Sequence, residues 1–374
     1  MGWIEVEIAA RGGAVPFPDF MELALYHPVH GYYAAGPARC GRRGDFLTGP
    51  TASPWYAAVL ARWILAVVAR LGPLVLVDLG SGDGSFLGRV LERLGPAAAS
   101  CLQRVISVER SAAMRAQQVE LLAGRRPQVD IVGELLDVGR ATGTVLVHAS
   151  ELYDALPVHR GVQREDGLEE LWVAAGPDGL VWQERAAPAE LVAYFAHHRV
   201  ALAPGQLAEA DLAARTLHAD LLRWAGERAV AVVLDYGYPA ARLYDPRGRR
   251  SGSLACYRGH RLNRDPLLDP GEQDITAHVN WDDLRLAATD AGWQEVGLWG
   301  LGELLLRAGL AVEVEERGLG LAAELTADTY AERQEVKRLL DPEGMGSDLK
   351  VLVQATPSVL PVAMELLRRS YPPG

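Results

Sequence analysis

The sequence predicts a doubly wound α/β protein, and three observations carry that prediction. Leu74-Val-Leu-Val-Asp-Leu79 is an uninterrupted apolar run ending in an acid and then glycines, as a strand buried on both faces of a parallel sheet does. Beyond it, short β-branched runs alternate with stretches of helical spacing, a βαβα order that implies a parallel sheet with right-handed crossovers. At 374 residues, 49% hydrophobic and 23% charged, the chain can bury a substantial core, and global disorder is excluded.

The elements follow in order. The first ~70 residues read as mostly helical, broken by a Gly/Pro/Arg-rich loop from Gly31 to Pro54. Strand one is the Leu74 run, and Gly84 to Leu94 carries apolar positions at helical spacing. Arg104 to Val108 is the second strand, ending at Glu109, and Ser111 to Ala123 the next helix, with Ser111 as its N-cap. Val129 to Val132 and Thr144 to Ala149 are strands three and four. Gly161 to Arg185 then looks like an antiparallel excursion with a Gly-Pro-Asp-Gly turn at 176–179. Helices are expected near 188–202 and 207–227, and Ala229 to Leu234 is a buried strand. A long loop from Tyr238 to Asp274 carries seven arginines and reads as a lid or binding segment rather than idle linker. Val279 to Ala291 is a helix, Trp293 to Trp299 a strand, and Lys350 to Gln354 the last strand before a C-terminal helix. The expected organisation is an N-terminal helical segment and cofactor-covering loop over 1–72. A sheet core over 73–374 follows, with insertions at about 157–228, 238–275 and 300–345 forming an accessory lobe.

Composition narrows the class. A net charge of −11 argues against general nucleic-acid binding. All but two of the 37 basic residues are arginine, the exceptions being Lys337 and Lys350. The N-terminus carries acids where a signal peptide needs bases, and Arg62 and Arg70 interrupt the most apolar helix, Trp55 to Leu71. A core helix and no membrane insertion are expected. Cys40, Cys101 and Cys256 are odd in number and far apart, so neither a disulfide framework nor a thiolate metal site is expected, and the chain reads as cytoplasmic.

The glycine loop narrows the cofactor. In Asp78-Leu-Gly-Ser-Gly-Asp-Gly84, the glycines at 80, 82 and 84 let the backbone approach a ligand and turn into the helix. A dinucleotide fingerprint needs glycine at 85, where this chain has Ser85. Asp78 would repel a diphosphate, which disfavours a nicotinamide dehydrogenase, and Glu109 can accept both hydroxyls of a ribose. Together they suit a nucleoside with a cationic amino-acid tail, such as S-adenosyl-L-methionine.

That loop with its strand-end acid resembles class I S-adenosylmethionine-dependent methyltransferases, whose sheet is Rossmann-like. Further blocks narrow the resemblance to the MidA family over about residues 17–353: Gly31-Tyr-Tyr, Gly44-Asp-Phe-Leu-Thr48, Glu151-Leu-Tyr-Asp-Ala-Leu-Pro-Val158, Leu234-Asp-Tyr-Gly237, Pro270 to Val279, and Met345-Gly346. The chain departs from that family in reading Gly80-Ser-Gly where G-P-G is usual, and Ser150 where Asn commonly precedes the glutamate. The resemblance implies methyl transfer to a protein arginine, with a subunit of respiratory complex I as a candidate partner. It also implies that Asp45 and Thr48 fold over the cofactor. A small-molecule amine or hydroxyl as acceptor, and an assembly factor that binds the cofactor without turnover, stay open.

Glu151 and Asp154 follow strand four, at the carboxyl edge where doubly wound sheets place their ligands. For a guanidinium acceptor they would hold its fork by charge-assisted bonds. The other reading has Glu151 on the cofactor's amino group and Asp154 capping a helix. Glu134, just past strand three, is either a partner for the adenine amino group or a solvated loop acid. His278, beside Asp274 and Thr276, is a candidate base; His159 and the scattered tryptophans read as structural.

Overall fold

The computed structural model describes residues 2–34, 53–259, 261–319 and 326–368. Contacts divide the chain into two units, each assembled from separated segments. One takes 47–151, 220–236 and 288–374; the other takes 1–46, 152–219 and 237–287.

The first unit is built on a mixed sheet of seven strands: β1 (Leu74–Leu79), β2 (Leu102–Val108), β3 (Val129–Val132), β4 (Thr144–Ser150), β5 (Ala229–Tyr238), β6 (Gln294–Gly300) and β7 (Leu349–Ala355). Their spatial order is β3-β2-β1-β4-β5-β7-β6. Every neighbouring pair is parallel except the two that involve β7. The last two residues of β5, Gly237 and Tyr238, belong to the other unit and pair there with Val279 and Asn280. The reversal of strand order between β1 and β4 makes a switch point at the carboxyl edge, where such sheets bind ligands. This is the doubly wound architecture the alternation predicts.

Helix Pro54–Leu71 starts with Ser53 accepting from the Trp55 N–H and with Pro54 in the first turn, and it stops at Gly72 with φ 80°. It is long and apolar enough to cross a membrane by composition. Its buried face, including Tyr56, Trp63 and Ile64, shares one core with Leu76, Leu146 and Val232 of the sheet. Hence the division expected at residue 72 is not where the contacts divide: this helix goes with the sheet, while residues 1–46 group elsewhere.

The second unit carries an antiparallel sheet in the order Ala14–Pro16, Gly167–Gly176, His159–Arg164, Leu207–Ala210, with Gly179–Ala186 on the far side of 167–176. Three expectations change here. The N-terminal segment contributes a strand, Ala14–Pro16. The helix expected over 207–227 begins only at Leu212, because Leu207–Ala210 pairs with His159–Val162 and Asp211 accepts the Ala214 N–H at the helix start. The helix expected over 188–202 is Ala189–His197, ended by Arg199 in the left-handed region and a Val200 N–H to Phe195 C=O bond.

The arginine-rich stretch 238–274 is largely folded. It holds the short helix Ala240–Leu243 and most of a three-stranded antiparallel sheet, Arg261–Asn263, Ala255–Arg258 and Asp274–Thr276. Several of its arginines are engaged: Arg258 with Asp269, Arg250 with the Pro204 carbonyl, and Arg242 and Arg249 over the Tyr238 ring. Cys101 and Cys256 are buried free thiols, and Cys40 lies outside the described residues.

Candidate active site

All six residues of β1 are buried, so Asp78, 4% exposed, must find its partners inside. Asp78 Oδ2 accepts from Ser81 Oγ at 2.7 Å. Asp78 Oδ1 lies 2.7 Å from His148 Nδ1, and His148 Nε2 lies 2.9 Å from Tyr56 Oη. One assignment satisfies this chain: Nδ1–H donates to the carboxylate and the phenol donates to Nε2. Burial, then the charges of Asp78 and Glu151, push the Tyr56 phenol far above its usual range, so it stays a donor. Phe86 stacks on both rings, with centroids 4.8 Å from His148 and 5.1 Å from Tyr56.

Gly80, Gly82 and Gly84 have φ of 70°, 56° and 77°, a backbone that side chains rarely adopt. The loop is tied to β2 by the Gly80 and Ser81 N–H groups, which both donate to the Val108 carbonyl. Glu109, at the end of β2, accepts the Gly82 N–H on Oε2 at 2.9 Å and the Ser111 N–H on Oε1 at 2.7 Å. Arg115 donates to the Glu109 carbonyl. Burial raises the Glu109 carboxyl, while the two N–H bonds and Arg115 act the other way. Below the loop, buried Gln118 donates to the Gly82 carbonyl and accepts from Ser107. A Cβ on Gly84 would come within 2.9 Å of Gln118 Cγ, whereas one on Gly82 would meet nothing within 4 Å. The loop is therefore packed hard beneath Gly84 and open at Gly82.

Glu134 is exposed and precedes a short 3₁₀ turn, its N–H donating to Asp137. Glu151 follows β4 with φ 49°, and its N–H donates to the Leu234 carbonyl of β5. A glutamate in the left-handed region costs about 1–3 kcal/mol and persists where the surroundings over-determine it.

Asp154 and His278 lie in the other unit, so the structure does not gather the three expected catalytic residues on one unit. Asp154, 6% exposed, sits in a 3₁₀ turn whose carbonyls accept from Ala277 N–H and Tyr26 Oη. Asp274 accepts from Tyr33 Oη. His278 Nδ1 lies 3.0 Å from Arg249 Nη1 and so acts as the acceptor. Burial and the Arg249 charge pull its pKa down to about 4. It is a neutral imidazole with one nitrogen already occupied. His159 pairs with Glu170. Asp45 and Thr48 fall outside the described residues. Among the described residues no cluster of His, Cys, Asp or Glu has the makings of a metal site.

Comparison with known proteins decides the class. Residues 59–298 match the family Methyltransf_28, described as S-adenosyl-L-methionine-dependent methyltransferases. The chain belongs to this family. It is similar to the zebrafish (Danio rerio) "Protein arginine methyltransferase NDUFAF7, mitochondrial", 27% identical over 315 residues that cover 74% of this chain and 69% of that protein. The Drosophila melanogaster homologue is 26% identical over 388 residues, 91% of this chain and 81% of that one. A COG1565 superfamily member from Burkholderia thailandensis, solved with S-adenosyl-homocysteine bound, is 29% identical with a TM-score of 0.81, covering 94% of this chain and 90% of that one.

This methyltransferase therefore uses S-adenosyl-L-methionine, and the loop has the features to receive it. A Cβ at Gly82 would meet no atom within 4 Å, and Glu109 keeps further acceptor capacity, since each carboxylate oxygen has two lone pairs. Tyr56, His148 and Gln118 are set by the tertiary structure and are not predicted from the sequence. The one available signal was a histidine inside the otherwise apolar run Thr144-Val-Leu-Val-His148-Ala.

Proposed function

We propose that the methyl acceptor is an arginine side chain of a protein partner, and that Glu151 holds its guanidinium. The observation that carries this reading is the backbone of Glu151. A carboxylate at the carboxyl edge of β4 is held at φ 49°, a strained position unnecessary for a turn that glycine could make. The arginine methyltransferase relatives support the choice of acceptor. Glu109 is assigned to the ribose hydroxyls, Glu134 to the adenine amino group, and Asp45 and Thr48 to the cover over the cofactor. Asp78 is a positioning residue: both its oxygens are taken by Ser81 and His148, so it shapes the loop of Gly80, Gly82 and Gly84.

When bound, S-adenosyl-L-methionine supplies an electrophilic methyl on its sulfonium. Arginine resists deprotonation, so its nitrogen must lose a proton as the new N–C bond forms. The Glu151 carboxylate favours that by holding one edge of the guanidinium and turning a nitrogen toward the methyl. Orientation of this kind can contribute about 7–11 kcal/mol to lowering a barrier. Asp154 and His278, which lie in the other unit, are given no part in this step.

Incubation with labelled S-adenosyl-L-methionine and cell extract, followed by mass spectrometry, locates the acceptor; a respiratory complex I subunit is the first candidate to test. Label on arginine that is lost in Glu151→Gln, with cofactor binding retained, is the expected result. Transfer at the wild-type rate by Glu151→Gln sinks the clamp, and label on a small-molecule amine or hydroxyl sinks the acceptor.

A further inference from the structure

A pocket of about 600 Å³ opens at the carboxyl edge of the large sheet, lined among others by Gly300, Glu303, Arg307, Gly346, Ser347 and Lys350. Gly300 ends β6 and Lys350 lies at the start of antiparallel β7, so both are at the edge where the parallel strands finish. The pocket's two cations differ. The Arg307 guanidinium is spent on Glu303 and the Leu367 carbonyl and lies over the Trp299 ring. Lys350 is half-buried, and among the described residues no hydrogen bond or ion pair engages its ammonium. The Ser347 hydroxyl likewise has no partner there. With Glu303 bound to Arg307, Lys350 is the lining's cation without an ion pair among the described residues. It is one of only two lysines in a chain of net charge −11.

The register gives this pocket a place relative to Glu151. Lys350 pairs with Asp235 on β5, and the Glu151 N–H bonds to Leu234 on the opposite side of the same strand. Lys350 and Glu151 thus flank β5 at one level, two strand spacings or about 10 Å apart along the edge. An extended polypeptide covers that distance in about three residues.

We propose that Lys350, assisted by Ser347, binds an acidic side chain of the acceptor polypeptide two or three residues from the methylated position. The pocket thereby sets sequence preference. This rests on the protein-acceptor reading above. A lysine in a pocket with no ion pair among the described residues is well placed to gain from a carboxylate, because no recorded pair has to break. The glycines on either side keep the rim low: a Cβ on Gly300 or Gly346 would run into backbone carbonyls within 2.7 Å.

The test uses the full chain with arginine peptides carrying Asp, Ala or Lys at each position from −4 to +4, and labelled S-adenosyl-L-methionine. Wild type should prefer Asp over Ala about tenfold at two or three residues from the arginine, the factor of one charge-assisted bond. Lys350→Met should lose that preference and Lys350→Glu should shift it to Lys, with S-adenosyl-homocysteine binding unchanged as a check on folding. Equal preferences in wild type and Lys350→Met overturn the proposal. If no arginine peptide accepts label, the acceptor reading fails by itself, and fluorescence binding of the Asp-containing peptides judges the pocket separately. Tighter binding to wild type than to Lys350→Met supports it, and equal binding overturns it.

Discussion

His148 and Asp78 face each other across neighbouring parallel strands, with Nδ1 2.7 Å from Oδ1 and both side chains buried. A charged group under the cofactor loop is thus held from behind by an imidazole that is itself fixed by Tyr56. Removing the imidazole leaves two buried polar groups without partners, whereas removing only the Tyr56 hydroxyl leaves one. His148→Leu should therefore cost about 2–5 kcal/mol of unfolding free energy and Tyr56→Phe about 1 kcal/mol. Denaturant titration checks the order; equal losses would mean the chain does not act as drawn.

Gly82 and Gly84 share a left-handed backbone but differ in surroundings, and their alanine variants should separate stability from binding. Gly84→Ala forces Cβ to within 2.9 Å of Gln118 and should lower stability by about 2 kcal/mol or more. Gly82→Ala adds only backbone strain, about 1 kcal/mol. Gly82→Val should abolish binding of S-adenosyl-homocysteine in isothermal titration while the protein remains folded.

The strain at Glu151 predicts opposed effects of one substitution. Glu151→Gly relieves φ 49° and should raise stability by about 1 kcal/mol, less the entropy glycine loses on folding, while lost positioning lowers transfer roughly 100-fold. Thermal melts and single-turnover transfer read the two effects. Glu151→Gln keeps the strain and should lower only transfer.

Asp211 gives the second unit a pH dependence of definite sign. Burial chiefly, and the charge of Asp283, push its carboxyl up to about 8, against the N–H bonds of the helix it caps. The folded chain therefore keeps a proton that the unfolded chain releases near pH 4, and stability should fall as pH rises from about 4 to 8. Asn caps a helix equally well. Asp211→Asn should flatten the Tm–pH profile and raise Tm most at pH 8.

His278 has the opposite dependence. Its pKa of about 4 lies below the unfolded value, so the stability linked to it is complete above about pH 6.5 and is lost as pH falls toward 4. Arg249→Met removes the nearby positive charge and should move the His278 titration upward in NMR. A transition in activity between pH 5 and 8 that followed His278 would contradict this placement.

Local signals carried much of the fold. The buried run Leu74–Leu79, the tight turn at the three glycines after Asp78, the N-cap Ser111 and the Gly-Pro-Asp-Gly turn each act through neighbours in the chain, and each folds as expected. Leu207-Ala-Glu-Ala210 does not, because good helix formers are drawn into a strand by pairing with His159–Val162. The arginine-rich stretch departs from the expected loop for a related reason: its short strands are stabilised by one another and by Asp274–Thr276, not by their own pattern.

By itself the sequence determined the sheet class, the cofactor and the glycine turn after the first strand, since glycine spacing and strand-end acids are local chemistry. Only the tertiary structure decided which chain segments share a core, that Asp78 is bound from behind by His148 and Tyr56, and that Glu151 and Asp154 fall in different units. It also brought Lys350 level with Glu151 on either side of β5. Such relationships depend on strand order and register, which arise from the burial of residues far apart in the chain and leave no mark at any single position.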